Sequence, residues 1–241
     1  MDERTFDRIE KKYIIDQEQK DQILRVISRK MKRDKYHKSR VLNIYFDTDN
    51  YDLIIKSIEK PEFKEKLRAR SYGGFDKVFL EIKTKTKGKE VNVGYKRRVL
   101  ITHEDYNKLV AGKKTMLGLA KQKIEEGNDL QIANEVDYLI KYFDLKPKIL
   151  VYYDRISYKG ENELRITFDE NLKYRNKNLK FTRSAKDNHY FNNEKNIIME
   201  IKANGVIPLW LAKALSSAKA YPMSFSKIGK IYERLRKENN V

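Results

Sequence analysis

Between Phe63 and Lys83, in FKEKLRARSYGGFDKVFLEIK, apolar and charged positions alternate with a period of two on either side of a Gly-Gly pair. A strand sends successive side chains to opposite faces. Val78, Leu80 and Ile82 therefore share one face, while Lys77, Phe79, Glu81 and Lys83 share the other. Arg68 and Arg70 lie one period apart in the first arm. The spacing predicts a hairpin with an apolar and a charged face, which in isolation is ordinary surface architecture. The alternation recurs, however. Phe6 to Ile15 sets Arg8, Glu10 and Lys12 against Ile9, Lys11 and Tyr13, and Val91 to Ile101 predicts a strand carrying Lys96, Arg97 and Arg98. Lys148 to Tyr158 predicts an aromatic strand with Tyr153 and Arg155. Glu163 to Asp169 divides into Leu164, Ile166 and Phe168 against Glu163, Arg165, Thr167 and Asp169. Asn196 to Lys202 places Ile197, Met199 and Ile201 opposite Ile198, Glu200 and Lys202.

Helical spacing separates these strands. Asp16 is placed to cap a helix over Gln17 to Met31, whose Ile23, Leu24, Ile27 and Met31 form one stripe. The basic run Lys30, Lys32, Arg33, Lys35, Lys38 and Arg40 reads as a solvated loop, followed by a β-rich segment from Val41 to Phe46. Asp47-Thr48-Asp49-Asn50 is a turn or cap cluster before Leu53, Ile54 and Ile55. Thr84 to Gly88 is a lysine-rich turn, and Thr102-His103-Glu104-Asp105 looks like a helix start. Ala111 to Gly127 shows no clear period. Gln131 to Phe143 does, with Ile132, Val136, Leu139, Ile140 and Phe143 on one face. Two helices are predicted after Pro208 and Pro222, and no Pro-, Gly- or Ser-rich linker divides the chain. One domain spanning 1–241 is expected, rich in strands, with helices before, between and after them.

Composition narrows the partners. The 241 residues are 40% apolar with 16 Tyr and 10 Phe, enough for a substantial core. A formal net charge of +18 points to an anionic partner: nucleic acid, an anionic membrane, or a phosphate-rich molecule. With no cysteine there is neither a disulfide nor a thiolate metal site. His37, His103 and His189 are scattered and carry no expected metal or catalytic role. HExxH, GxxxxGK and GxGxxG strings are missing, which argues against zinc proteases, P-loop enzymes and dinucleotide binders. The N-terminus lacks an apolar signal core, and there is no apolar run of about 18 residues. A soluble, cytoplasmic protein with no transmembrane segment is expected.

Two arrangements satisfy the strand pattern. Either the apolar faces form the core of an ordinary sandwich with charges toward water, or the sheet closes with charges inside and amphipathic helices outside. The sandwich is the commoner architecture. Yet the charged faces repeat a carboxylate with a base two residues on, as in Glu10 with Lys12, Glu81 with Lys83 and Glu200 with Lys202, rather than a mixture of small polar residues. Bases converging inside a closed sheet would repel one another at low dielectric unless an anion and a metal filled the space.

The strings FDRIEKKY at 6–13, KLRARSYG at 66–73, VFLEIK at 78–83 and YKRR at 95–98, followed by VYYDR at 151–155, ELRITFD at 163–169, IMEIK at 198–202 and FSK at 225–227, span nearly the whole chain. In this order they resemble the triphosphate tunnel metalloenzymes, and within them the VTC domain of polyphosphate polymerases. The related CYTH branch, which includes thiamine triphosphatases and class IV adenylate cyclases, typically opens with Glu-x-Glu-x-Lys. Here the matching positions are Arg8-x-Glu10-x-Lys12, which together with FSK favours the polymerase-like branch.

The resemblance implies an α+β fold: a closed antiparallel β-barrel, the triphosphate tunnel, with helices packed outside. It implies that Lys12, Arg68, Arg70, Lys83, Arg155 and Arg165 serve catalysis, and that Lys96, Arg98, Lys202, Lys227 and Arg8 bind phosphate. It implies Mn²⁺ or Mg²⁺, with Glu200 the first choice of ligand and Glu10, Glu81 and Asp169 either ligands or partners orienting the bases. Arginine offers phosphate a planar fork and lysine a compact charge, and these metals prefer oxygen ligands. The implied substrates are ATP and polyphosphate, with no nucleic acid expected, and the implied reaction adds the ATP γ-phosphate to the polymer and releases ADP. Two alternatives remain open: a tunnel triphosphatase in which water accepts the phosphoryl group, and a non-catalytic module that binds polyphosphate or nucleic acid.

Overall fold

A computed structural model describes residues 8–59, 61–73, 77–87, 92–120, 127–182, 188–190 and 196–238. In chain order the elements are β1 (Arg8–Ile15), α1 (Gln17–Lys30), β2 (Lys32–Asp47), α2 (Asp52–Ile58), β3 (Phe63–Tyr72), β4 (Lys77–Lys87), β5 (Asn92–Thr102), α3 (His103–Val110), α4 (Met116–Ala120) and α5 (Gly127–Tyr142). These are followed by β6 (Lys146–Lys159), β7 (Arg165–Arg175), β8 (His189–Tyr190), β9 (Ile197–Asn204), α6 (Leu209–Ser217) and α7 (Lys227–Glu238). The chain divides into a first unit of Met1–Arg40, Tyr153–Lys173 and Tyr190–Ser226, and a second of Val41–Tyr152, Tyr174–His189 and Lys227–Val241. β2 and β6 contribute a half to each.

In the first unit the strand order is β1-β9-β7-β6-β2, and β1 and β7 pair antiparallel with β9. Alternation sends Tyr13, Ile15, Ile166, Phe168, Ile197, Met199 and Ile201 to one face, where they form a core with Ile23 and Ile27 of α1 and Leu211 and Leu215 of α6. α1 starts where the sequence places it, because Asp16 and Gln19 close a capping box: the Asp16 carboxylate accepts from Gln19 N at 2.8 Å, and the Gln19 side chain accepts from Asp16 N at 3.0 Å.

In the second unit the order is β6-β2-β3-β4-β5, with β2/β3, β3/β4 and β4/β5 antiparallel. Leu67, Ala69, Val78, Leu80, Ile82, Val99 and Ile101 form the apolar face. It is covered by Tyr106 and Leu109 of α3, Met116 and Leu119 of α4, and Val136 and Leu139 of α5. The segment without a readable period contains α4, whose first amides at Met116 and Leu117 donate to Asp137 of α5 at 2.6 and 2.7 Å. A five-residue helix capped from a distant position leaves no local signature; residues 121–126 of the same segment lie outside the described residues. Asp47 is fully buried and accepts from the amides of Thr48, Leu53 and Ile54, each at 2.9 Å, which satisfies the start of α2.

Two expectations are corrected. The basic run after α1 is not a loop but the first half of β2, which begins at Lys32. It is held by a two-pronged bond from Arg40 to Asp154 (2.6 and 3.0 Å) and by His37 Nδ1, which donates to the Ser157 carbonyl at 2.9 Å. With much of both faces exposed, no apolar alternation marks it as a strand. β7 begins at Arg165 and runs on to Arg175, later than read, because Asn162 and Glu163 adopt φ of 48° and 56° in the turn before it. Among the described residues the strand pairings form an open order in each unit, ending at β1 in the first and β5 in the second. The fold is α+β and rich in antiparallel sheet, and no described helix is long and apolar enough to cross a membrane.

Candidate active site

The charged parity of β3, β4 and β5 in the second unit points away from the helix-covered core. Even so, Glu81 is 0% exposed and Arg68 and Arg70 are buried. The outward-facing charges of a surface sheet would be hydrated, so burial here requires that the ions satisfy one another. Arg68 Nε donates to Glu81 Oε2 at 2.6 Å, Lys96 Nζ lies 2.5 Å from Oε1, and Arg70 Nε stands 3.6 Å from Oε2. Register explains the meeting, since Glu81 is flanked directly by Arg68 on β3 and Arg98 on β5. Arg70 Nε also donates to Asn43 Oδ1 (2.7 Å) and its Nη1 to the Tyr72 hydroxyl (3.0 Å), while Arg68 Nη1 donates to the Tyr45 hydroxyl (3.4 Å).

Burial alone would raise the Glu81 pKa, but Arg68, Arg70 and Lys96 outweigh it and hold the carboxyl at about 2. Burial likewise works to raise Tyr45, yet Arg68, Arg70 and Lys66 bring it below its ordinary value. Lys96 is lowered, chiefly by desolvation, against the pull of Glu81. Burial works to raise Tyr72 as well, yet Arg70 brings it below its ordinary value. A carboxylate and two perturbed phenols thus sit among more cations than they neutralise, an electrostatic setting that an anion would complete. Lys83 and Arg98 are exposed on the same parity; Lys83 is flanked in register by Lys66 and Lys96. Arg97 points to the opposite face and pairs with Glu135 of α5 at 2.6 Å.

The first unit gathers a second set. Across β1, β9 and β7, Lys12 is opposite Glu200, which is opposite Thr167; one step along, Glu10 is opposite Lys202, which is opposite Arg165. Lys202 Nζ lies 3.1 Å from Glu200 and 3.5 Å from Glu10, so one ammonium stands on two carboxylates. Lys12 Nζ lies 3.3 Å from Glu10 and donates to the Phe225 carbonyl at 3.2 Å, which joins it to the FSK string. Arg155 makes a two-pronged bond to fully buried Asp169 (2.6 and 2.8 Å), and its Nη2 donates to the Tyr153 hydroxyl at 3.4 Å. Burial works against the Arg155 charge, but Tyr153, Asp169 and Glu200 outweigh it and raise the pKa well above the usual value. Arg165 is half-exposed, 2.9 Å from Asp34 and 3.4 Å from Ser157 Oγ. Lys227 opens α7 in the second unit, and the Arg8 side chain lies outside the described residues.

Of the four proposed metal ligands, the structure brings Glu10 and Glu200 to one ammonium, ties Asp169 to Arg155, and places Glu81 among the bases of the second unit. Among the described residues no three His, Asp or Glu side chains form a group that could hold a metal ion alone. Two carboxylates nevertheless fit Mg²⁺ or Mn²⁺, because such ions are commonly held by one or two carboxylates together with substrate phosphates and water. A further observation fits: the Thr167 hydroxyl, 5% exposed and next to Glu200 in register, is buried with no hydrogen-bond partner. An ion's water would satisfy it.

Asn43, Tyr45 and Tyr72 hold the guanidinium groups but were not singled out from the sequence. In LNIYF, Asn43 and Tyr45 occupy the parity opposite Leu42, Ile44 and Phe46, and Tyr72 follows Arg70 on the same parity of β3; the signal is masked because neither Asn nor Tyr is charged.

The VTC domain family matches residues 7–235, and the chain belongs to that family. Subunit 4 of the vacuolar transporter chaperone complex of Schizosaccharomyces pombe is 28% identical over 144 residues, covering 55% of this chain and 20% of that protein. The chain thus matches only about a fifth of that relative's length. Among solved structures, the Hippeastrum protein HpAC1, described as an adenylyl cyclase with a dominant triphosphatase activity, superposes with a TM-score of 0.52 at 15% identity, covering 91% of this chain and 92% of that one. The PH1819 protein of Pyrococcus horikoshii gives 0.48 at 15% identity, over 94% and 99% of the two chains.

Proposed function

We propose that this chain is a cytoplasmic, metal-dependent polyphosphate polymerase that transfers the γ-phosphoryl group of ATP to the end of a polyphosphate chain. The observation that carries the reading is the excess of positive charge among the described residues around Glu81, where Arg68, Arg70 and Lys96 converge on one buried carboxylate. An ordinary ion-pair network would balance its charges; a site for phosphate oxygens leaves cationic capacity over. Closure of the sheet into a tunnel belongs to the same reading.

Phosphoryl transfer asks the protein mainly for alignment and for neutralisation of charge on the transferring group. Arg68 and Arg70, braced by Glu81, Asn43, Tyr45 and Tyr72, hold phosphate oxygens in a fixed orientation. Lys83, Lys96 and Arg98 extend that hold on the same face, and Lys66 lies in register with Lys83. In the first unit Arg155, locked by Asp169, and Arg165, Lys12 and Lys202 offer a further set of bases to phosphate oxygens, and Lys227 and Arg8 are phosphate binders on the same reading. A terminal phosphate oxygen of the acceptor attacks the γ-phosphorus, the bond to the β–γ bridging oxygen breaks, and ADP leaves with that oxygen. Glu200 and Glu10 would hold Mn²⁺ or Mg²⁺, which supplies Lewis-acid neutralisation of phosphate charge.

The test is gel analysis of products from purified protein with ATP and Mn²⁺. Long phosphate polymer with stoichiometric ADP is expected, and Glu200→Gln and Arg68→Ala should each abolish it. Orthophosphate as the sole phosphate product assigns water as acceptor and a hydrolase instead. Tight polyphosphate binding that survives chelation, without turnover, makes the chain a binding module.

A further inference from the structure

The charged parity of β3, β4 and β5 changes character along its length. Register sets Lys66, Lys83 and Lys96 in one cross-strand row, Arg68, Glu81 and Arg98 in the next, and Arg70, Phe79 and Leu100 in the third. Rows are about 6.7 Å apart along the strands. Tyr72 follows Arg70 on the same parity. A row of point charges thus grades within two steps into rings and planar guanidiniums.

The third row is also open. Tyr72 is 40% and Leu100 42% exposed, and Phe79 is partly exposed. The unit's core lies on the other face and does not need these side chains. Phe79 meets Tyr72 edge-on, with centroids 6.0 Å apart at 74°. The Arg98 guanidinium lies over Phe79 at 4.7 Å, and that of Arg70 lies 5.6 Å from the Tyr72 ring centre. Inorganic polyphosphate presents only charged oxygens and gains nothing from exposed rings. A nucleobase presents a flat π-face that stacks on aromatic rings and guanidinium planes alike.

We infer that Tyr72, Phe79 and Leu100, with the Arg98 guanidinium, seat the base of a nucleoside triphosphate whose phosphates run past Arg70 and Arg68 toward Lys66, Lys83 and Lys96. The inference rests on the phosphate-site reading above and adds where the donor's base sits and in which direction its phosphates run. Stacking is tolerant of which base is bound, so the seat separates nucleotides from inorganic phosphates more than one nucleotide from another.

The experiment titrates ATP and inorganic tripolyphosphate, at the same Mg²⁺ concentration, into the unmodified chain and into Phe79→Ala, Leu100→Ala and Phe79→Tyr. Phe79→Ala and Leu100→Ala are expected to raise the Kd for ATP about tenfold while leaving that for tripolyphosphate unchanged, and Phe79→Tyr is expected to keep the preference for ATP. Retained tripolyphosphate binding reports an intact fold and phosphate site. Unchanged ATP affinity in both alanine variants, or equal loss of the two ligands in both, overturns the seat. An unmodified chain that binds neither ligand overturns the phosphate-site reading beneath it.

Discussion

Glu81 in the second unit and Glu200 in the first both sit on the charged parity of a strand, each beside an Arg or Lys on a neighbouring strand, yet their surroundings differ in kind. Glu81 is wholly buried and receives two guanidiniums and an ammonium. Glu200, with its side chain 12% exposed, shares the ammonium of Lys202 with a second carboxylate, Glu10, itself half open to solvent. Cations are in excess in the first case, and acids and ammoniums are balanced at accessible positions in the second. On the proposed reading, the buried, over-cationic cluster holds a rigid anion-binding surface, and the more accessible, balanced cluster exchanges an ammonium for a metal ion at small cost. The contrast teaches that the same two-residue spacing, Glu-x-Lys, meets an excess of cations in one setting and a balanced set of acids and ammoniums in the other, and that burial separates the two.

Breaking the brace has the largest expected effect. Glu81→Ala leaves Arg68, Arg70 and Lys96 without their carboxylate, and removing one partner from a buried charge network costs about 3–5 kcal/mol; urea unfolding should show a loss in that range. Next comes pH. Glu81 is depressed from 4.5 to about 2 in the fold, so its contribution is complete above pH 4.5 and is lost as pH falls toward 2. Integrated over that interval the linkage is on the order of 3 kcal/mol, and the pH dependence of urea midpoints should flatten there in Glu81→Gln. The smallest effect sharpens the other side of the comparison. Thr167→Val removes the orphaned hydroxyl beside Glu200 while keeping its shape; metal affinity should fall about tenfold, read by Mn²⁺ titration, with thermal stability unchanged or slightly raised.

Much of this was legible because the period-two pattern was strict where one face met helices. Val78, Leu80 and Ile82 against Glu81 and Lys83, or Met199 and Ile201 against Glu200 and Lys202, assign faces without coordinates. The Asp16 cap was legible for the same reason, since its partner Gln19 is local. Distant partners were not. The first half of β2 carries polar residues on both parities, and its hold comes from Asp154 and Ser157, more than a hundred residues away. α4 depends on Asp137 in the same way. The Glu81 network shows the limit most clearly: the sequence pairs Glu81 with Lys83 along the strand, whereas Arg68 and Lys96 reach it across the sheet. Spacing along a strand gives parity, and only register gives partners.

The division of labour between the two clusters is tested most directly by titrating tripolyphosphate into the unmodified chain, Arg68→Ala and Glu200→Gln, first with chelator and then with Mn²⁺. Arg68→Ala should lose affinity in both conditions. Glu200→Gln should match the unmodified chain in chelator and fail only to gain affinity when Mn²⁺ is added. A Glu200→Gln protein that gains as much from Mn²⁺ as the unmodified chain, or an Arg68→Ala protein that binds as tightly as it does, would contradict the account.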